Sequence, residues 1–384
     1  MQSRCMPTPL SEKAVFELVE DLVGEELHAK QTYSVGHAVL GALHADRAGV
    51  ASLGRAAARI RGVEAKHSIK QVDRLLSNHK VDVPRVQRRL ARRIIGQRKD
   101  IVVSIDWTEF APDGHSTVVI SLVTHHGRAT PLVWMTVESA KLSGRRNGYE
   151  DAVLVRLAAA LPEGVHVTVL ADRGFADCGL YALLSDKLHF DFVIRFKSCV
   201  VVESSGGQVW PARDWVPANG RALRLADARV TRARHDVAAV VVVKRSAMKD
   251  SWCLATSRTD GADVIIALYA RRFDIEHNFR DQKDRRFGFG LYYATVGTTT
   301  RRDRLVLIIV LAGLIATVLG AAGESLGLDR QLRANTSARR THSLWRQGRE
   351  YVMGVTRAVV DALRSAFYRL WHAVPTTSEI YGTL

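Results

Sequence analysis

IVVSIDWTEFAPDGHSTVVISLVTHHGRATPLVWMTV, residues 101–137, decides the fold. Its apolar or alternating runs, IVVSID, TVVISLVT and ATPLVWMTV, are separated by APDG and HHGR. That pattern predicts three consecutive strands joined by hairpins. Downstream the period changes. A helix is expected near Tyr149–Leu161, ended by Pro162 and Gly164, then a fourth strand at VHVTVLAD, a helix at CGLYALLSDKL and a fifth strand at FDFVIRFK. Strands followed by alternating helices and strands predict a mixed α/β core.

From about Lys197 to Arg258 the chain turns β-rich, with CVVVES, QVWP, ALRLADARVT, AAVVVVK and WCLATS, and reads as an inserted sheet. Helix returns with ADVIIALYARRFDIEHNFRDQKD. Upstream, residues 10–78 read as helices with short breaks, among them a pair around Gly62 with a helix-turn-helix layout. Pro84 opens a further helix whose stripe of Val86, Leu90 and Ile94 is ringed by Arg85, Arg88, Arg89, Arg92 and Arg93. Such a helix can lie along a phosphate backbone and bind it in a salt-sensitive, sequence-independent way.

Leu305–Gly323, LVLIIVLAGLIATVLGAAG, is uncharged and follows Arg301, Arg302 and Arg304. It is long enough to span a bilayer, and a helix buried on all sides reads the same way. A last amphipathic helix is expected over EYVMGVTRAVVDALRSAFYRLW. The expected organisation is a helical DNA-binding region over 1–99, a core over 100–196 and 261–325, a β-rich insertion over 197–260, and a helical C-terminal region over 326–384.

Composition narrows the partner. Against 39 Asp and Glu stand 55 Lys and Arg, a net charge of +16 in 384 residues, which favours a polyanion such as nucleic acid. Cys5, Cys178, Cys199 and Cys253 are scattered, with no spacing that fits a disulfide framework or structural zinc, and a reducing cytosol suits them. The N-terminal stretch has no apolar core of a signal peptide, so none is expected.

Asp106 and Asp172 each close an apolar run, IVVSID and VTVLAD, so each is expected at a strand end. Singly, either is an ordinary turn or capping residue. In YARRFDIEHNFRDQKD, residues 269–284, helical spacing puts Tyr269, Arg272, Glu276, Arg280 and Lys283 on one stripe. Two strand-end aspartates and a helical glutamate supply three hard oxygen ligands, which suit Mg2+ or Mn2+. Two such ions can support phosphoryl transfer.

The order strand-Asp, strand-Asp, helix-Glu resembles the ribonuclease-H-like DDE transposases. Tyr269-x2-Arg272-x3-Glu276-x6-Lys283 resembles the Y-R-E-K motif of the insertion sequence four family of bacterial transposases, and DWT at 106–108 and ADRGF at 171–175 look like that family too. The resemblance implies a ribonuclease-H-like fold of the retroviral-integrase superfamily, and two divalent ions, Mg2+ or Mn2+, on Asp106, Asp172 and Glu276. It implies DNA contacts by Tyr269, Arg272 and Lys283, with Arg280 beside them. Trp252 matches the family's base-stacking tryptophan, and Arg173 could touch the same strand. It further implies a bacterial, cytoplasmic, nucleoid-associated homodimer that synapses two double-stranded transposon ends, excises them through hairpins, inserts them into target DNA by cut and paste, and needs no membrane. Two other readings stay open: a captured host DNA-binding or nuclease protein of the same fold, and a membrane-tethered nucleic-acid-binding protein.

Overall fold

A computed structural model of the chain describes residues 7–284, 288–337 and 340–374. Cys5 and the end of the expected C-terminal region, 375–384, lie outside these residues. Five helices come first: α1 (Glu12–Val23), α2 (Ala29–His44), α3 (Val50–Arg61), α4 (Ala65–Ser77) and α5 (Val83–Ile95). Their ends follow local chemistry. The Ser11 side chain accepts from the Ala14 N–H at the start of α1, and Asp82 caps α5, whose first turn holds Pro84.

Then come β1 (Asp100–Phe110), β2 (His115–Leu122), β3 (Thr130–Glu138), α6 (Arg146–Ala160), β4 (His166–Ala171), α7 (Cys178–Ala182) and β5 (Asp191–Arg195). The β-rich segment supplies β6 (Val201–Glu203), β7 (Val209–Pro211), β8 (Leu223–Val230), β9 (His235–Val243) and β10 (Trp252–Thr256). The chain continues through α8 (Ala262–Ala270), α9 (Phe273–Lys283), α10 (Thr299–Ser325), α11 (Leu344–Met353) and α12 (Val360–Ala373).

The ten strands among the described residues form one mixed sheet in the order β3-β2-β1-β4-β5-β10-β9-β8-β6-β7. β1, β2 and β3 are the antiparallel meander expected from the hairpin signals, while β4 and β5 run parallel to β1. The β-rich segment is not a separate sheet. β10 returns beside β5, pairing Leu254 with Arg195 and Thr256 with Val193, so β6–β10 extend the core sheet outward.

Both faces of the central strands are covered, which explains why β1 and β4 are apolar at consecutive positions. Val102, Leu170, Val193, Val241 and Leu254 face Ile265, Ile266 and Tyr269 of α8. Ile101, Val103, Ile105 and Val169 belong to the larger core shared with the other helices.

The uncharged run 305–323 lies in α10 and is a core helix, packed against β3, α2, α4, α11 and α12. The three arginines that read as a membrane flank serve the fold instead. Arg301 pairs with Asp73 at 2.6 Å, Arg302 with Asp113 at 2.8 Å, and Arg304 donates to the Leu76 carbonyl at 2.9 Å. α11 crosses α10 so closely that a Cβ on Gly348 would stand 1.7 Å from the Ala316 carbonyl oxygen. The single helix expected over 350–371 is two: at Gly354 the backbone turns to φ 137°, a conformation suited to glycine, and separates α11 from α12.

Asp303, at the buried start of α10, gives a pH signature. Burial pushes its carboxyl up to about 7, opposed by the Thr136 N–H that donates to it at 2.9 Å. A carboxyl whose folded pKa is raised contributes stability below its unfolded pKa of about 4 and loses it as pH rises through the folded value. Asp303→Asn is therefore expected to gain on the wild type by on the order of 2–3 kcal/mol between about pH 5 and pH 8. Urea denaturation at the two pH values measures it, and a parallel pH dependence in the variant would contradict it.

Candidate active site

Parallel pairing of β1 with β4 ends at Ile105 and Ala171, so Asp106 and Asp172 follow side by side where the two strands part. In open α/β sheets the carboxyl ends of neighbouring strands are where clefts form. Asp106 does not end its strand, contrary to expectation. β1 runs on to Phe110 because β2 keeps pairing with it, from Asp106–Val119 to Phe110–His115. β4 alone departs, which opens one side of Asp106. The Trp107 N–H donates to Asp106 Oδ1 at 2.8 Å, while the Trp107 indole donates to the buried Glu150 at 2.7 Å under the Arg146 guanidinium. This support for Asp106 was legible only as the letters DWT, since Glu150 is distant in sequence.

The run 269–284 is not one helix. It breaks at Arg271 and Arg272, where N–H groups at 271, 272, 274 and 275 bond three residues back and tighten the backbone. The break turns Tyr269 inward, fully buried on α8, and puts Arg272 at the head of α9. The Tyr269 hydroxyl comes within 3.5 Å of Asp172 Oδ1. Arg272, also buried, donates to Glu276 Oε1 at 2.7 Å and reaches Asp106 Oδ2 at 3.4 Å. Asp106, Asp172 and Glu276 thus gather around one guanidinium and one phenol. In this arrangement Arg272 and Tyr269 are turned to the carboxylates and not to solvent.

The electrostatics match. Burial pushes the Asp106 carboxyl up, Arg272 and the Trp107 N–H pull it down, and Asp172 and Glu276 push it up again. Burial opposes the Arg272 charge, yet Tyr269, Glu276, Asp106 and Asp172 together raise its pKa. Burial drives the Tyr269 phenol up to about 12. Three acids within Coulombic reach, balanced by one buried cation, are a donor set that fits a hard divalent ion, and the Arg272 guanidinium stands in for a cation between Asp106 and Glu276. Among the described residues, no three His, Cys, Asp or Glu side chains are already gathered tightly enough to ligate one ion.

The other expected contacts divide. Lys283 lies beneath the same end of the sheet, its ammonium 5.6 Å from the Phe110 ring and 5.3 Å from Tyr292, and burial lowers its pKa while Glu109 raises it. Arg280 and Arg173 are exposed. Trp252 is half-buried, edge-on to Tyr269 at 4.9 Å and facing Phe273 at 6.1 Å, so it lies against the helix break. On α5, Arg85 pairs with Glu26 and Arg89 with Glu25, while Arg92 and Arg88 project to solvent and Arg92 also reaches the Ala160 carbonyl at 3.3 Å. Glu25 and Glu26, just after α1, take up part of the basic stripe, a pairing across some sixty residues that helical periodicity does not reveal.

Comparison with known proteins gives one finding. A family model described as a transposase DDE domain matches residues 97–295, more than half of the chain. No curated protein matches it in sequence.

Proposed function

Since this chain belongs to the transposase DDE domain family, a family of metal-dependent DNA-cleaving enzymes, we propose that Asp106, Asp172 and Glu276 are its catalytic carboxylates and that it moves an insertion sequence of the insertion sequence four type. The observation that carries this is the convergence of the three acids, from strands and a helix far apart in sequence, with Asp106 and Glu276 on Arg272 and Asp172 on Tyr269. Asp106, Asp172 and Glu276 would hold two divalent ions, Mg2+ or Mn2+. When bound there, such ions polarise the scissile phosphate and activate the attacking oxygen.

The protein's own residues supply position and charge. Arg272, drawn from the carboxylates towards a phosphate, keeps a charge-assisted contact in either place. Lys283 and Arg280 hold the backbone beside it, and Tyr269 orders Asp172. Water attacks the phosphorus at the element boundary, and the P–O3′ bond breaks to leave a 3′-hydroxyl and a 5′-phosphate. The 3′-hydroxyl attacks the opposite strand to close a hairpin, with expulsion of that strand's 3′-oxygen. Water opens the hairpin and regenerates the 3′-hydroxyl, which attacks a target-strand phosphorus and expels that strand's 3′-oxygen.

The remaining assignments belong to the same reading. Residues 1–99 bind the terminal inverted repeats, with Arg88 and Arg92 as backbone contacts and Arg85 and Arg89 available only if released from Glu26 and Glu25. The two core segments, the β-rich extension and the C-terminal helices complete the expected domains, and two protomers bridge two DNA ends in the bacterial nucleoid. Trp252, with Arg173 near the same strand, receives a flipped base, which any base permits through its π-face. A captured host nuclease of this fold is the second reading. It would keep cleavage but lack preference for the gene's own flanks, so competition between flank and scrambled duplexes separates the two.

Trp252→Ala is expected to leave first-strand nicking within about threefold and to lower hairpin yield by about tenfold, the scale of one lost base–aromatic stack. Denaturing gels of an end duplex show both products. Unchanged hairpin yield would remove Trp252 from the strand path.

A further inference from the structure

We propose that the surface running from Arg280 and Lys283 on α9, across Tyr293, to Arg47 and Arg55 at the α2–α3 junction is a phosphate-backbone contact for duplex DNA leading into the catalytic centre. It rests on the reading of the chain as a DNA-cleaving transposase. Tyr293 is the centre of the argument. This large side chain is 57% exposed and forms a wall of two open grooves. One is also lined by Arg280, Lys283 and Tyr292, the other by Arg47 and Arg55. The Tyr292 and Tyr293 rings meet edge-on at 5.1 Å, and Lys283 sits over Tyr292, so the grooves form one continuous strip.

The strip is fixed to the fold at both ends. The Ala48 N–H donates to the Phe289 carbonyl at 2.6 Å, tying the α2–α3 junction to the chain after α9. Arg302 donates to the carbonyls of Leu291 and Ala294 and so holds the turn that presents both tyrosines. A contact surface that keeps its shape loses little conformational entropy on binding.

Its charges are available. Arg47, Arg55 and Arg280 are exposed and take part in none of the ion pairs among the described residues. On α5, by contrast, Arg85, Arg89 and Arg93 are held by Glu26, Glu25 and Asp21. Of the acids near the strip, Glu109 acts on Lys283 and Asp46 on Arg349, while Asp284 lines the α9 groove beside Arg280 and Lys283. Planar guanidinium forks and a tyrosine hydroxyl suit phosphate oxygens, and contacts to phosphate set position without reading sequence. The strip begins at the motif cations and ends in the N-terminal helices, so one duplex lying on it would touch both.

The test is a salt series of binding isotherms with a labelled duplex carrying the gene's own flank. Wild type is compared with Arg47→Ala/Arg55→Ala, Tyr293→Ala and Arg88→Ala/Arg92→Ala. Loss of two phosphate contacts is expected to make the log K against log salt slope of Arg47→Ala/Arg55→Ala shallower by about two and to weaken binding by about tenfold at low salt. The same change is expected on an unrelated duplex of equal length. Wild-type binding with unchanged slopes in both the Arg47→Ala/Arg55→Ala and Tyr293→Ala proteins would overturn the proposal and leave the transposase reading standing. The shallower slope appearing only in Arg88→Ala/Arg92→Ala would place the path on α5 and overturn it too. No duplex binding by the wild type would overturn the transposase reading itself, and the strip with it.

Discussion

Asp106→Asn, Asp172→Asn and Glu276→Gln are each expected to lower DNA strand cleavage by at least about a thousandfold, corresponding to about 4 kcal/mol of transition-state stabilisation. Affinity for the same duplex should change by less than about threefold, because the DNA-contacting cations are untouched. Each replacement keeps the shape of the side chain and removes one charged oxygen ligand. Asp106 and Glu276 contact Arg272 and Asp172 acts on it through charge, so each substitution also removes a partner of that guanidinium or a charge acting on it. A merely structural role predicts a different pattern, with thermal stability falling together with cleavage and binding. Cleavage within about tenfold of wild type in any one variant would take that residue out of the catalytic set.

Arg302→Ala is expected to be the most damaging substitution away from the site, costing about 3–5 kcal/mol of stability, the scale for breaking a buried ion pair from one side. Its side chain is fully buried, bonded to Asp113 at 2.8 Å and to the Leu291 and Ala294 carbonyls, with its guanidinium 4.3 Å from the Phe110 ring centre. Removing it leaves the Asp113 carboxylate, among the described residues, with the Val296 N–H at 2.7 Å and the His115 ring at 3.7 Å, and strands two carbonyls. Urea denaturation of the two proteins measures the difference. A loss below about 1 kcal/mol would mean that water replaces the guanidinium and that the turn over 291–294 is held by other contacts.

The fold was legible where periodicity and local turn chemistry act alone. APDG and HHGR mark the first two hairpins, and Pro162 with Gly164 mark the return from α6 to β4. What periodicity missed depends on distant partners. β1 continues past Asp106 because β2 stays paired with it, and β10 rejoins β5, which places the β-rich segment on the core sheet. Arg301, Arg302 and Arg304 read as a membrane flank because their acceptors lie in α4, before α5 and after β1.

At the site, the acids could be read from two apolar runs and one motif. The break between α8 and α9 could not, since YARRFDIEHNF contains neither glycine nor proline. With the break, the motif ceases to be one stripe: Tyr269 and Arg272 turn to the carboxylates, while Arg280 stays exposed. Tyr293, Arg47 and Arg55 carry no motif, and only the folded chain brings them together.

The most direct test of the central claim is strand cleavage by the wild-type protein on a labelled duplex built from the gene's own flanks, with Mg2+ or Mn2+ and with EDTA. Cleavage at the flank boundary that requires the metal and leaves a 3′-hydroxyl is the predicted result. Tight binding of that duplex with no cleavage in either metal would contradict it.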